Sequence, residues 1–226
     1  MAPIWIIFIV FAGLSWLVGA QLKSKFKAFS KIPINGGLSG KDVAERMLSQ
    51  NGVNDVKVIS VDGQLTDHYN PLNKTVNLST DVFNGNSVAA AAVAAHECGH
   101  AIQHAHAYSF LQMRSKLVPV VSITSKWVQW VLLAGVILVQ TFPAILLAGI
   151  VMFALMTLFS FITLPVEIDA SRRALAWLNG AGITSSQTHP KAQEALRWAA
   201  YTYVVAALAS LATLLYYVYI FLGNRR

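Results

Sequence analysis

Cysteine and charged residues are scarce in this chain of 226 residues, and each shortage excludes a class of protein. The single cysteine, Cys98, cannot form an internal disulfide, so the chain is not a small disulfide-stabilised scaffold. Only 12% of the residues are charged, whereas 55% are hydrophobic. Such a composition is too apolar for an ordinary soluble domain of this length, and it predicts several membrane-spanning segments.

The net charge of +7 has two interpretations. In a soluble protein this excess of basic residues would indicate nucleic-acid binding. In a membrane protein it usually reflects Lys and Arg that flank the spans on one side of the bilayer. Because the chain is so apolar, we favour the second interpretation and expect no nucleic-acid partner.

Long uncharged runs predict four transmembrane helices. The first covers residues 3–20, a hairpin of two helices lies within 118–164 and turns near 140–143, and the last covers 199–222. The alternative is a secretory signal peptide, because Val18-Gly19-Ala20 resembles a small-residue cleavage site. However, no basic residue precedes this run and several lysines follow it closely, which is the reverse of the charge order in signal peptides.

A polar insert at residues 22–116 separates the first span from the second. Within it, Ser39 is suited to cap a short amphipathic helix that ends near residues 51–52. Two strands are expected at 56–61 and 75–79, and the turn-forming residues between them favour a small antiparallel sheet. The sequence therefore predicts a mainly α-helical integral membrane protein with a small α+β insert.

A long helix predicted at residues 87–107 carries the sequence HECGH, which matches the pattern H-E-x-x-H. His96 and His100 are one helical turn apart, so both imidazoles project from one face and can bind a single Zn²⁺. Zinc in that position lowers the pKa of water and polarises a scissile carbonyl, while Glu97 accepts the proton and passes it to the leaving amine. The motif thus predicts zinc-dependent hydrolysis of peptide bonds.

Two runs, residues 63–108 with the motif and residues 164–174 (LPVEIDASRRA), resemble the YugP family of bacterial membrane-bound zinc metallopeptidases. The resemblance covers nearly the whole chain. It implies a zincin-like insert and an endopeptidase of the bacterial cytoplasmic membrane. The expected partners are the lipid bilayer and a peptide or protein substrate in or near the membrane, whereas the natural substrate and the oligomeric state stay open.

A zinc site of this class needs a third protein ligand, and the sequence offers Glu167 or His106. The segment EIDASRRALAWL, residues 167–178, resembles the second motif of the HtpX type of membrane peptidases, in which a ligand glutamate is followed four residues later by an aspartate. Ser171 stands in place of that aspartate and would orient a ligand histidine more weakly. His106 has the metzincin spacing, but Gln103 replaces the glycine of that pattern, which the chain needs for a sharp turn. We therefore favour Glu167, whose alternative role is an interfacial carboxylate paired with an arginine.

Residues near the motif receive weaker assignments. His104 is expected either to form a structural hydrogen bond or to contact the transition state, Cys98 to pack, and His68 to lie in a turn. An extended substrate is expected to pair with a sheet edge. The candidate edge strand comprises Thr75, Val76, Asn77, Leu78 and Ser79, and the alternative is that this strand lies inside the sheet.

The distribution of basic residues predicts the orientation in the membrane. Eleven Lys and Arg lie in residues 22–126 and four in 165–197, whereas the hairpin turn has none. Both catalytic segments are therefore expected to face the cytoplasm. The two arginines at the C-terminus fall on the opposite side in this topology.

Two functions other than proteolysis are consistent with a zinc-binding motif. A zinc transporter would carry the motif within a span, whereas polar residues such as Asp81 and Asn84 precede the motif helix here. The second is an inactive membrane scaffold that retains zinc for stability, and the sequence does not separate it from an enzyme.

Overall fold

The computed structural model describes residues 4–223, and most of these residues lie in helices. The order of elements is α1 (Ile4–Phe29), α2 (Gly40–Gln50), β1 (Lys57–Val61), β2 (His68–Asn70), β3 (Thr75–Ser79), α3 (Thr80–Asn84), α4 (Val88–Ala105), α5 (Ser109–Ile137), α6 (Pro143–Gly180) and α7 (His189–Gly223).

Among the described residues, four helices are long and apolar enough to cross a membrane, namely α1, α5, α6 and α7. Together with the small sheet, they confirm the prediction of a mainly helical membrane protein with an α+β insert. Each helix is longer than the span predicted for it. Hydropathy marks only the apolar part of a helix, whereas backbone hydrogen bonding continues into the polar residues beside it.

The segment after the third span begins inside a continuous helix. Pro165 lies within α6, which runs on to Gly180, and α7 starts at His189, before the expected start of the last span at residue 199. Residues 165–180 therefore stay helical, so Glu167 is carried on a regular helix.

One compact unit comprises the described parts of residues 1–17, 112–164 and 202–226. Its core contains Val128 and Leu132 of α5, Leu146 and Ile150 of α6, and Phe221 of α7. A Cβ atom at Gly135 would lie 2.6 Å from the Cα of Leu146, so α5 and α6 approach too closely there for any larger side chain. Close backbone approach at small residues is the usual packing of helices in membranes.

The second unit comprises residues 18–111 and 165–201, and it contains most of the polar insert. The side chain of Ser39 caps α2 and, with Asp42, forms a capping box. The side chain of Ser87 caps α4 by accepting a hydrogen bond from the backbone N–H of Ala90 at 3.3 Å. Six alanines of α4 are almost fully buried, which lets neighbouring elements pack closely around this helix, namely Ala89, Ala90, Ala91, Ala92, Ala94 and Ala95.

The sheet has the strand order β1-β3-β2, which corrects three predictions. β1 is parallel to β3 and only β2 is antiparallel to it, so the prediction of an antiparallel sheet was wrong. Thr75–Ser79 is the central strand rather than the substrate-binding edge, and its side chains are buried at nearly every position, as interior strands require. His68 belongs to β2 instead of a turn. A strand of three residues is too short to show an alternating pattern, so the chain between β1 and β3 was interpreted as turns alone.

Candidate metal centre

Two helices bring three candidate metal-ligating side chains together. His96 and His100 lie one turn apart on α4, with their ring centroids 4.8 Å from each other. Glu167 of α6 places its Oε2 atom 3.3 Å from His96 Nε2 and 3.5 Å from His100 Nε2. Among residues 4–223, these three form the one group whose ligand atoms all lie close enough to hold a metal ion, within 4.8 Å of one another.

His106, the alternative third ligand, is not part of this group. It is the C-cap residue of α4, its backbone N–H donates to the carbonyl of Ile102, and its side chain is exposed. The helix continues through Gln103 to Ala105, so the chain does not make the sharp turn at residue 103 that the metzincin pattern needs to bring the third histidine back.

The burial and chemistry of the three side chains fit a zinc ion. The Glu167 side chain is only 4% exposed, while those of His96 and His100 are 14% and 12% exposed. A buried carboxylate that faces two imidazole nitrogens is stabilised by positive charge, which a bound metal ion or a protonated imidazole can supply. Two imidazoles and one carboxylate are a common ligand set for catalytic zinc, which keeps its fourth position open. The partial exposure of both histidines is consistent with access to such a position.

The two histidines direct their Nε2 atoms toward Glu167 because their Nδ1 atoms have other partners. His96 Nδ1 lies 3.1 Å from the Ser171 hydroxyl, and His100 Nδ1 lies 3.1 Å from Gln103 Oε1. Partners of this kind orient imidazole ligands in metal sites. The contact with Gln103 was missed from the sequence, where Gln103 counted only as the residue that replaces a metzincin glycine.

The surroundings of His100 favour positive charge. Burial disfavours the imidazolium, but the carboxylates of Glu167 and Glu97 outweigh burial and raise the pKa of His100 above its ordinary value. The site therefore attracts a cation, and protons compete with a metal ion for His100 as the pH falls.

Glu97 lies next to the candidate ligand His96 on α4, and its side chain contacts the sheet. Its carboxylate Oε2 accepts a hydrogen bond of 2.9 Å from the backbone N–H of Tyr69 on β2, and the residue is only 8% exposed. The sequence gave no signal for this contact, because β2 was not predicted as a strand. The hydrogen bond anchors one oxygen of the Glu97 carboxylate to β2.

His104 lies one turn beyond His100 but outside the group of metal-ligating side chains. Its Nδ1 atom is 2.8 Å from the hydroxyl of Tyr69, whose pKa is raised by burial. Both residues line a cavity of about 370 Å³, together with Asp55 and Lys74. The structure thus gives His104 a hydrogen-bonding partner, and a role in catalysis stays a prediction.

Cys98, inside the motif, is fully buried and faces away from the histidines. Its Sγ atom lies 3.5 Å from the carbonyl oxygen of Ala44 on α2. Burial, with a smaller contribution from Glu97, raises the pKa of Cys98 well above its ordinary value. A protonated, inaccessible thiol is consistent with the predicted packing role.

Gly99 permits the close approach of the two helices that carry the candidate ligands. A Cβ atom at this position would lie 2.6 Å from the carbonyl oxygen of Ala170 on α6. Real Cβ atoms do not come so close to backbone, so any larger residue would push α6 away. The position of Glu167 relative to His100 therefore depends on the absence of a side chain at residue 99.

Gly99→Ala is expected to lower the zinc content of the purified protein and to destabilise it by about 1–3 kcal/mol through overpacking. Alanine favours helices over glycine by about 1 kcal/mol, so any loss must come from the steric clash. Zinc per chain by mass spectrometry and the thermal midpoint measure the two effects. Gly19→Ala on α1 is the matched control, since a Cβ there has nothing within 4 Å. Equal zinc content in both variants would contradict the packing argument.

An H-E-x-x-H helix that faces a carboxylate of a second helix has the ligand arrangement of zinc metallopeptidases. The family model described as "Putative neutral zinc metallopeptidase" matches residues 4–222, and the chain belongs to this family. The chain is 40% identical over 213 residues to "Putative membrane protease YugP" of Bacillus subtilis (strain 168). The aligned region covers 94% of each protein. No solved structure matches the chain.

Proposed function

We propose that this protein is a membrane-bound zinc endopeptidase in which Glu97 is the general base. The observation that carries the proposal is the position of Glu97 on the same helix as His96 and His100, both within 3.5 Å of the Glu167 carboxylate. In this proposal His96, His100 and Glu167 are the zinc ligands. Family membership supports the chemistry, because it associates residues 4–222 with zinc metallopeptidases.

Each polar group of the site has a task in this reaction. Zinc, when bound, supplies a Lewis acid that polarises the scissile carbonyl and makes water more acidic. Glu97 accepts the proton of the attacking water and donates it to the nitrogen of the leaving amine. The hydrogen bond from the Tyr69 N–H keeps the carboxylate in place during both transfers. Ser171 and Gln103 orient the ligand imidazoles.

The corrected sheet topology changes the proposed substrate-binding strand. β3 pairs with a neighbour on each side and offers no free edge, whereas β1 and β2 form the edges. Of these, β2 contacts Glu97 through Tyr69. We therefore propose that an extended substrate lies beside β2, where it would reach the general base.

Removal of zinc is expected to abolish cleavage of a fluorogenic peptide library by the detergent-purified protein. In the proposed mechanism, the metal polarises the scissile carbonyl. Dialysis against a chelator followed by one equivalent of Zn²⁺ should restore cleavage, whereas Mg²⁺ should not. Cleavage that continues without zinc would contradict a metallopeptidase.

A zinc-loaded protein that cleaves nothing would support the inactive scaffold. The transporter is less well supported, since α4 is not among the candidate spans found in residues 4–223.

The active site is proposed to face the cytoplasm of a bacterial cell, and cysteine labelling tests this. In a Cys98→Ala background, Lys41→Cys on the partly exposed face of α2 should resist a membrane-impermeant maleimide in intact cells and react after permeabilisation. Thr141→Cys in the exposed turn between α5 and α6 is the matched control and should react in intact cells. Labelling at residue 41 with protection at residue 141 would reverse the orientation.

A further inference from the structure

Gln103 is fully buried and forms hydrogen bonds through both ends of its side-chain amide. Its Nε2 group donates to the carbonyl oxygen of Val166 at 2.8 Å and to Asp169 Oδ2 at 2.8 Å. Its Oε1 atom lies 3.1 Å from His100 Nδ1. One side chain on α4 therefore contacts both the residue before Glu167 on α6 and the candidate ligand His100 on its own helix.

The chemistry of these partners leaves the amide only one orientation. A carbonyl oxygen and a carboxylate accept hydrogen bonds but cannot donate them, so the NH₂ end must face Val166 and Asp169. The oxygen of Gln103 then faces His100, and since that oxygen also only accepts, the proton must be on His100 Nδ1. In the neutral imidazole, Nε2 is left with a lone pair directed at the Glu167 carboxylate, 3.5 Å away.

His96 has no equivalent constraint. Its Nδ1 partner is the Ser171 hydroxyl, which can either donate or accept and so does not select a tautomer. The selection of tautomer in this cluster therefore comes from Gln103 at His100.

The donor end of Gln103 is itself held in place. Asp169 also accepts a hydrogen bond of 2.6 Å from Arg173 Nε, and the Arg173 guanidinium lies over the ring of Tyr108 at 5.9 Å. The Asp169 carboxylate is thereby fixed between Gln103 and Arg173. Because Val166 and Asp169 flank Glu167 on α6, the same amide also fixes the helical turn that carries the carboxylate.

We propose that Gln103 is a positioning residue of the metal site, which holds His100 as the Nδ1–H tautomer and ties it to the helical turn of Glu167. The inference rests on the proposed function for the metal, zinc, and for its ligands His100 and Glu167, but not for proteolysis. Partners that hold a ligand histidine typically change metal affinity by about 10–100-fold. Gln103 therefore contributes to metal affinity without touching the metal.

Gln103→Met keeps the length of the side chain and removes both hydrogen-bonding ends. We expect the Kd for zinc, measured by chelator competition on the detergent-purified full chain, to rise about 10–100-fold. We also expect the ¹⁵N signals of His100, assigned by their loss in His100→Ala, to show loss of the single tautomer. Gln112→Met, an exposed position on α5, is the matched control and should leave both readouts unchanged.

A purely structural role for Gln103 predicts a different pattern. The thermal midpoint would fall equally with and without zinc, while the Kd and the His100 signals of the folded variant would stay as in the wild type. That result would overturn the proposal. If Gln103→Met does not fold, Asp169→Ala replaces it as the test, because the Asp169 side chain is partly exposed. We expect the Kd of this variant for zinc to rise several-fold. An unchanged Kd would overturn the proposal. Neither readout uses proteolysis, so a zinc-binding protein that cleaves no peptide would count against the proposed function alone.

Discussion

Glu97→Gln is expected to reduce kcat/KM for peptide cleavage by roughly 10²-fold or more while zinc stays bound. The amide preserves the shape of the side chain and can still accept the hydrogen bond from the Tyr69 N–H, but it cannot take a proton from water. Cleavage rates and zinc content should be measured on the same detergent-purified sample.

Glu45→Gln is the matched control for this variant. Glu45 is an exposed residue of α2 whose carboxylate lies 3.7 Å from the ammonium of Lys41, so the same chemical change there removes only a surface charge. We expect its cleavage rate to equal that of the wild type. Unchanged cleavage by Glu97→Gln would exclude the proposed general base, even if the protein proved to be a peptidase.

Glu167→Ala is expected to lose nearly all bound zinc, whereas His106→Ala should retain it. The first change removes a carboxylate that is 4% exposed and lies within 3.5 Å of both imidazoles. The second removes an exposed side chain at the end of α4. Metal content by mass spectrometry, with helicity and elution volume as checks on folding, measures both effects.

The reverse outcome is equally informative. Zinc retained in Glu167→Ala and lost in His106→Ala would mean that the metzincin spacing governs the site despite Gln103. Glu167 would then be an interfacial carboxylate, and the α6 segment would have no direct role in binding the metal.

The local part of the site was predictable because one helix determines it. The spacing of His96 and His100 places both imidazoles on the same face of any α-helix, and the alanine-rich sequence before them strongly favours a helix. Glu97 follows from the same periodicity. Glu167 lies far along the chain on another helix, and only the resemblance to known membrane peptidases indicated it as a ligand.

The contacts that hold the site depend on tertiary structure and had no local signal. Tyr69 reaches Glu97 from a strand of three residues, which is too short for a pattern of alternating burial. Gln103 donates hydrogen bonds to Val166 and Asp169, which come close to it only when α4 and α6 pack together at Gly99. The prediction of strand pairing was wrong for a related reason, since turn-forming residues indicate where strands end but not which strands pair.

X-ray absorption at the zinc K-edge of the detergent-purified wild type tests the central claim most directly. Coordination by His96, His100 and Glu167 predicts two imidazoles and two oxygen atoms, one from the carboxylate and one from solvent, all at about 2.0–2.2 Å. The imidazole contribution should fall by half in His100→Ala if that variant retains metal. Three imidazoles in the wild type, a sulfur atom at about 2.3 Å, or a protein that binds no zinc would contradict the assignment.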